Sequence, residues 1–211
     1  MSGSTKLLTS GGGGVILTPA SSIASDVTVN IPSNNTTLVG TDTTQTLTNK
    51  TINGGAITSG TAQATTSGTI ITFTSIPSWV KRITMMLNNV STTGASFPLI
   101  QLGSGSLTTT GYVALGTLIY GANLTTTLTS SQGFALYSNE AGDSLYGTTC
   151  FTLFSSNSWV ASGTIGVAGR TGSIVVAGSI ALSGTLDRIA LTTVNGTDTF
   201  DAGSVNIQYE G

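Results

Sequence analysis

Ile83-Thr84-Met85-Met86-Leu87 sets an apolar side chain at every second position, and Ile189-Ala190-Leu191 repeats the arrangement a hundred residues later. Side chains of an extended chain point alternately to opposite faces, so Ile83, Met85 and Leu87 share one face and Ile189 and Leu191 share another. Outward from these two stretches, runs of the same texture occupy residues 69–74, 80–88, 98–102, 112–120, 124–128, 134–137, 144–154, 159–167, 174–180, 186–193 and 204–209. Gly, Ser and Asn separate them. About ten strands at this spacing predict an all-β fold, an antiparallel β-sandwich that is jelly-roll-like. Capping boxes and Glu/Lys pairs four residues apart, the marks of helices, do not occur. The last run, Val205-Asn206-Ile207-Gln208-Tyr209, alternates as well. It ties the C-terminus into a sheet, so removing even seven residues is expected to damage folding.

The first third of the chain has a different grammar. Short apolar-polar segments, among them Val15-Ile16-Leu17-Thr18-Pro19, Val27-Thr28-Val29-Asn30-Ile31-Pro32 and Thr46-Leu47-Thr48-Asn49-Lys50-Thr51-Ile52, recur roughly every ten residues. Phe, Tyr and Trp are absent until after residue 67. A segment this poor in bulk does not close a core of its own. The chain therefore divides into an extended attachment and trimerisation segment, 1–67, and a sandwich knob, 68–211. In the first segment small Thr, Ala and Gly allow several chains to approach, and Leu47, Ile52 and Ile57 supply an axial core to an interlocked fibre. A flexible arm that orders only against a partner is the other reading of the same residues. The tract Gly11-Gly12-Gly13-Gly14 lacks the Lys-Ser/Thr ending of a phosphate-binding loop and reads as a hinge.

Composition narrows the function. The 211 residues include no histidine, one cysteine, six Lys+Arg and eight Asp+Glu, for a net charge of -2. Catalytic sites are built from titratable groups held close together, and this chain has few to gather, so it is expected not to be an enzyme and to need no cofactor or metal. A Ser-His-Asp arrangement is impossible without histidine. No basic run beyond Lys81-Arg82 exists to neutralise a row of phosphates, which sets nucleic acid aside as a partner. No window reaches the ~20 apolar residues of a membrane helix, and no membrane partner is expected. The lone Cys150, between Thr149 and Phe151, reads as a small buried hydrophobe.

Four groups of residues are candidates for a site. Trp79-Val80-Lys81-Arg82 combines the residue types that concentrate binding energy at interfaces, and also suits a strand start whose Trp caps the core while two cations stay in water. Glu140 and Asp143 share a loop; two carboxylates cleave a glycosidic bond only from about 5 to 9.5 Å apart across a cleft, and a solvated turn suits this pair better. Asp187 and Arg188 pair across a turn. Asp198 and Asp201 flank Phe200, with fewer carboxylates than a calcium loop requires. The candidate interface is accordingly Leu47, Ile52, Ile57, Trp79, Lys81 and Arg82.

Thr44-Gln45-Thr46-Leu47-Thr48-Asn49-Lys50-Thr51-Ile52 resembles the TQTLTNKTI element of tailed-bacteriophage fibre and virion-surface proteins. Ile76-Pro77-Ser78-Trp79-Val80-Lys81-Arg82-Ile83-Thr84, followed by Pro98-Leu99-Ile100-Gln101-Leu102-Gly103, resembles the globular domain that follows this element in many of them. The resemblance implies a virion-surface location and a homotrimer bound to the major capsid protein or another virion protein. The chain is short, without long repeats or a chaperone-like C-terminal domain, which favours a capsid decoration or cement protein, or a short head fibre. The alternative is a short tail fibre or adhesin that binds a host receptor or glycan through Tyr112, Tyr120, Tyr137 or Tyr146 at loop ends.

Overall fold

A computed structural model describes residues 5–8, 14–17, 57–121 and 124–211. Strands β1 (Thr5–Leu8) and β2 (Gly14–Leu17) form an antiparallel hairpin, Thr5 opposite Leu17 and Leu8 opposite Gly14. From residue 57 onward the alternating runs become β3 (Thr58–Ser59), β4 (Gln63–Ala64), β5 (Ile71–Phe73), β6 (Arg82–Thr92), β7 (Pro98–Ser104), β8 (Ser106–Leu107) and β9 (Val113–Tyr120). They continue as β10 (Leu124–Ser130), β11 (Phe134–Ala135), β12 (Leu145–Ser155), β13 (Ser158–Val167), β14 (Gly172–Ala181), β15 (Arg188–Thr193) and β16 (Phe200–Glu210). The larger sheet has the order β10-β9-β14-β13-β12-β6-β16-β3, with β4 also on β16. The smaller has the order β11-β7-β15-β5, with β8 on β7. Every pairing is antiparallel, and the chain passes back and forth between the sheets, as in a jelly roll.

The alternation read from the sequence is the inward face of the sandwich. Ile83, Met85 and Leu87 on β6 and Ile189 and Leu191 on β15 are all buried, and the two sets belong to one core. Three rings bridge the sheets: Phe134 of β11 lies 5.3 Å from Phe151 of β12 and 5.1 Å, edge on, from Tyr112. At Gly116 of β9 the sheets approach so closely that a Cβ would stand 2.2 Å from the Ala135 carbonyl oxygen, so only glycine fits. Gly203 (φ +88°) sits where β16 shifts register against β6, and its left-handed backbone is open to glycine without strain.

Two expectations are corrected. The boundary placed at residue 67 lies instead on the N-terminal side of Thr58, because β3 and β4 pair with β16. Buried Thr65 reinforces this by donating its hydroxyl to the Ala202 carbonyl at 2.6 Å. Strand β6 starts at Arg82 rather than Val80, since Pro77 directs a turn closed by the Val80 N–H to the Pro77 carbonyl at 3.1 Å.

Tyr112 stands in the core rather than at a receptor-facing loop end. Its hydroxyl accepts from the Leu102 N–H at 2.8 Å and donates to the Leu102 carbonyl at 3.2 Å, fastening the segment before β9 to β7. Burial pushes its hydroxyl from 10.0 up to about 12, against a weaker downward pull from the Leu102 N–H. The folded state holds this proton more tightly than the unfolded chain does. The resulting stabilisation is complete below pH 10 and is lost as pH rises towards about 12. It amounts to about 3 kcal/mol. Denaturant midpoints measured from pH 9 to 12 should fall across that window, and Tyr112→Phe should flatten the fall.

Candidate functional site

Trp79, Lys81 and Arg82 converge with Ile57 around the last residues of β16, at the end of the sandwich where the chain joins β3. Pairing sets this up: Thr58 stands opposite Tyr209, Tyr209 opposite Ile83, and Glu210 opposite Arg82. The Trp79 ring lies 5.8 Å from that of Tyr209 and remains 38% exposed, so it covers the strand end instead of closing the core. The backbone of Lys81 joins two strands, its N–H donating to the Glu210 carbonyl and its carbonyl accepting from the Leu153 N–H, both at 2.8 Å. Its side chain stays in water. The Arg82 guanidinium forms an ion pair with the Glu210 carboxylate.

Ile57 is 65% exposed beside this group. Phe154, at 74%, follows the Leu153 that Lys81 holds. The sequence reading missed Phe154, although its signal is present: two apolar residues side by side, Leu153-Phe154, break the alternation just before Ser155-Ser156-Asn157, and one of them must face outward. These residues lie at one end of the larger sheet, where β12 and β16 end and β6 and β3 begin. Leu47 and Ile52 lie outside the described residues.

The acidic candidates serve the fold. Asp143 is buried, not a solvated tip; it accepts the Ser138 hydroxyl at 2.8 Å and the Arg170 Nε at 3.0 Å. Arg170 also reaches Glu140 at 3.1 Å, so one arginine holds both carboxylates of the loop. It comes from the 3₁₀ turn Ala168–Arg170, 27 residues beyond Asp143, a distance at which no sequence spacing announces the pair. Arg170→Ala should cost about 2 kcal/mol, since it strips a buried carboxylate of its charged donor. Urea unfolding would measure that loss, and Arg170→Lys should recover part of it.

Asp187 and Arg188 pair as expected, Nε to Oδ1 at 2.8 Å and Nη2 to Oδ2 at 3.1 Å. The Arg188 hydrogen bonds hold the Asp187 carboxyl below its usual range. Asp198 accepts from the Ser96 N–H at 2.8 Å and the Asn195 amide at 2.7 Å, and Asp201 accepts from the Ser91 hydroxyl. Asp198 locks a turn, and Asp201 ties β16 to β6 where their register shifts. Of the other tyrosines proposed for receptor contact, Tyr120 and Tyr137 pack against the core, while exposed Tyr146 donates its hydroxyl to Asn89 at 2.6 Å. Cys150 is half-buried rather than fully so.

The fold and its surfaces define an antiparallel β-sandwich whose charged side chains mostly pair within its own loops. No protein-family model matches the chain, and neither a curated protein nor a solved structure matches it.

Proposed function

We propose that this chain is a non-enzymatic structural protein of a tailed-phage virion, a homotrimeric capsid decoration or cement protein or a short head fibre. Its N-terminal region binds the shell and the sandwich is displayed outward. The observation that carries this reading is the end of the sandwich where the chain joins β3: Ile57, Trp79 and Phe154 stand exposed there beside Lys81 and Arg82. Trp79, Lys81 and Arg82 belong to the stretch that resembles phage virion proteins. The mode of action is mechanical. A trimer seated across several shell subunits adds buried area between them and favours the assembled shell by mass action. Three linked seats raise the hold through avidity, without a covalent clamp.

The test uses purified protein, capsids of the phage that encodes it stripped of this chain, and host cells. The reading expects saturable co-sedimentation with the capsids, lost in a chain lacking residues 1–56, and none with cells. Binding to cells and not to capsids would replace it with the adhesin alternative. Release of sugar from surface polysaccharide would make the chain an enzyme and overturn it.

A further inference from the structure

We infer that the outer face of five adjacent strands, β10, β9, β14, β13 and β12, is the surface through which copies of this chain pack on one another. The inference rests on the homotrimer reading above and assigns the surface that makes the trimer. None of the five strands contains Asp, Glu, Lys or Arg. Their registers align the outward side chains in rows across the sheet. One row runs Leu115, Ala177, Ser162, Cys150, and the next runs Thr127, Thr117, Val175, Thr164, Thr148. Val113, Ile119 and Val160 extend the apolar part, and Val113 is 72% exposed. Past β12 charge returns, at Arg82 of β6 and at Asp201 and Glu210 of β16.

An outward sheet face usually carries charges that keep it solvated and unpaired, and the outward side chains of these five strands carry none. The occupant is a second copy, for three reasons. First, an uncharged face meets its own like without burying a charge, whereas a partner with an ordinary charged surface would desolvate charges that nothing here could pair. Second, threonine hydroxyls donate and accept, so identical rows can satisfy each other, as Thr117 and Thr127 already do at 3.1 Å within one chain. Third, the size is right. Five strands about 4.8 Å apart, read over eight residues, project about 600 Å². That approaches the ~800 Å² per partner of a stable interface. Three such faces turned to a common axis divide that area between two neighbours, about 300 Å² to each, so the ~600 Å² is the total each copy buries and the three contacts hold the trimer jointly. Strand β10, the edge of the sheet among the described residues, has neither Lys nor Pro to discourage pairing, and the same contact would shield it.

The experiment compares the full chain with Leu115→Glu, Val175→Glu and the control Val194→Glu, which is exposed but lies off this face. Molar mass is read by sedimentation equilibrium, folding by circular dichroism, and accessibility of the face by maleimide labelling of Cys150. The expected result is a trimer for the wild type and Val194→Glu, and folded single chains for the two face variants. Their Cys150 should label about ten-fold faster than in the wild type, because thiol reactivity follows access. Face variants that remain trimers, or a wild-type trimer whose Cys150 labels as fast as theirs, overturn the inference and leave the homotrimer reading standing. A wild type that is a single chain overturns both.

Discussion

Removal of residues 205–211 should yield a chain that does not fold. Strand β16 is internal to the larger sheet, paired with β6 from Phe200 opposite Thr92 to Glu210 opposite Arg82, and with β3 and β4 on its other side. The deletion takes Val205 and Ile207 out of the core. Each contributes about 1.5 to 3 kcal/mol by burial. It also strips the ladder partner from the inner half of β6, which carries Ile83, Met85 and Leu87, and leaves β3 without a neighbour. The combined loss is of the order of the whole stability of a domain, about 5 to 15 kcal/mol. Limited proteolysis and one-dimensional NMR would read the outcome. A truncated chain with dispersed amide signals and protease resistance would show that β16 is dispensable.

Phe134→Ala should destabilise the folded protein by about 3 to 5 kcal/mol, the range for emptying a buried aromatic position. Phe134 is fully buried on β11 of the smaller sheet and touches two rings from across the sandwich, Tyr112 just before β9 and Phe151 of β12. Its loss opens a cavity where the sheets are joined, and the rigid approach at Gly116 hinders collapse around it. Phe154→Ala supplies the contrast. That ring is mostly in water, and its removal should stay within about 0.5 kcal/mol. Equal midpoints in guanidinium for the two variants would mean that the core has been misplaced.

Strand identity was legible because burial on one face writes itself into alternation: Ile83, Met85 and Leu87, and Ile189 and Leu191, all point inward as their spacing dictates. Strands β3 and β4 were not, since two-residue segments such as Thr58-Ser59 and Gln63-Ala64 carry no period and exist through their pairing with β16. Long-range side-chain contacts were equally silent. Nothing local marks Arg170 as the partner of Asp143, or ties the Tyr112 hydroxyl to the backbone of Leu102. At the candidate interface, proximity in sequence identified Trp79, Lys81 and Arg82. The strand register added what sequence alone withheld, namely that Ile57 joins them at the end of β16. The uncharged outer face became visible only once the order β10-β9-β14-β13-β12 placed five neutral segments side by side.

The molar mass of the full chain in solution, measured by light scattering over a range of concentrations, bears most directly on the claim that this is an assembly-forming structural protein. Three times the mass of one chain, held down to micromolar concentration, is the predicted result. One chain at every concentration, with the sandwich intact, would contradict it.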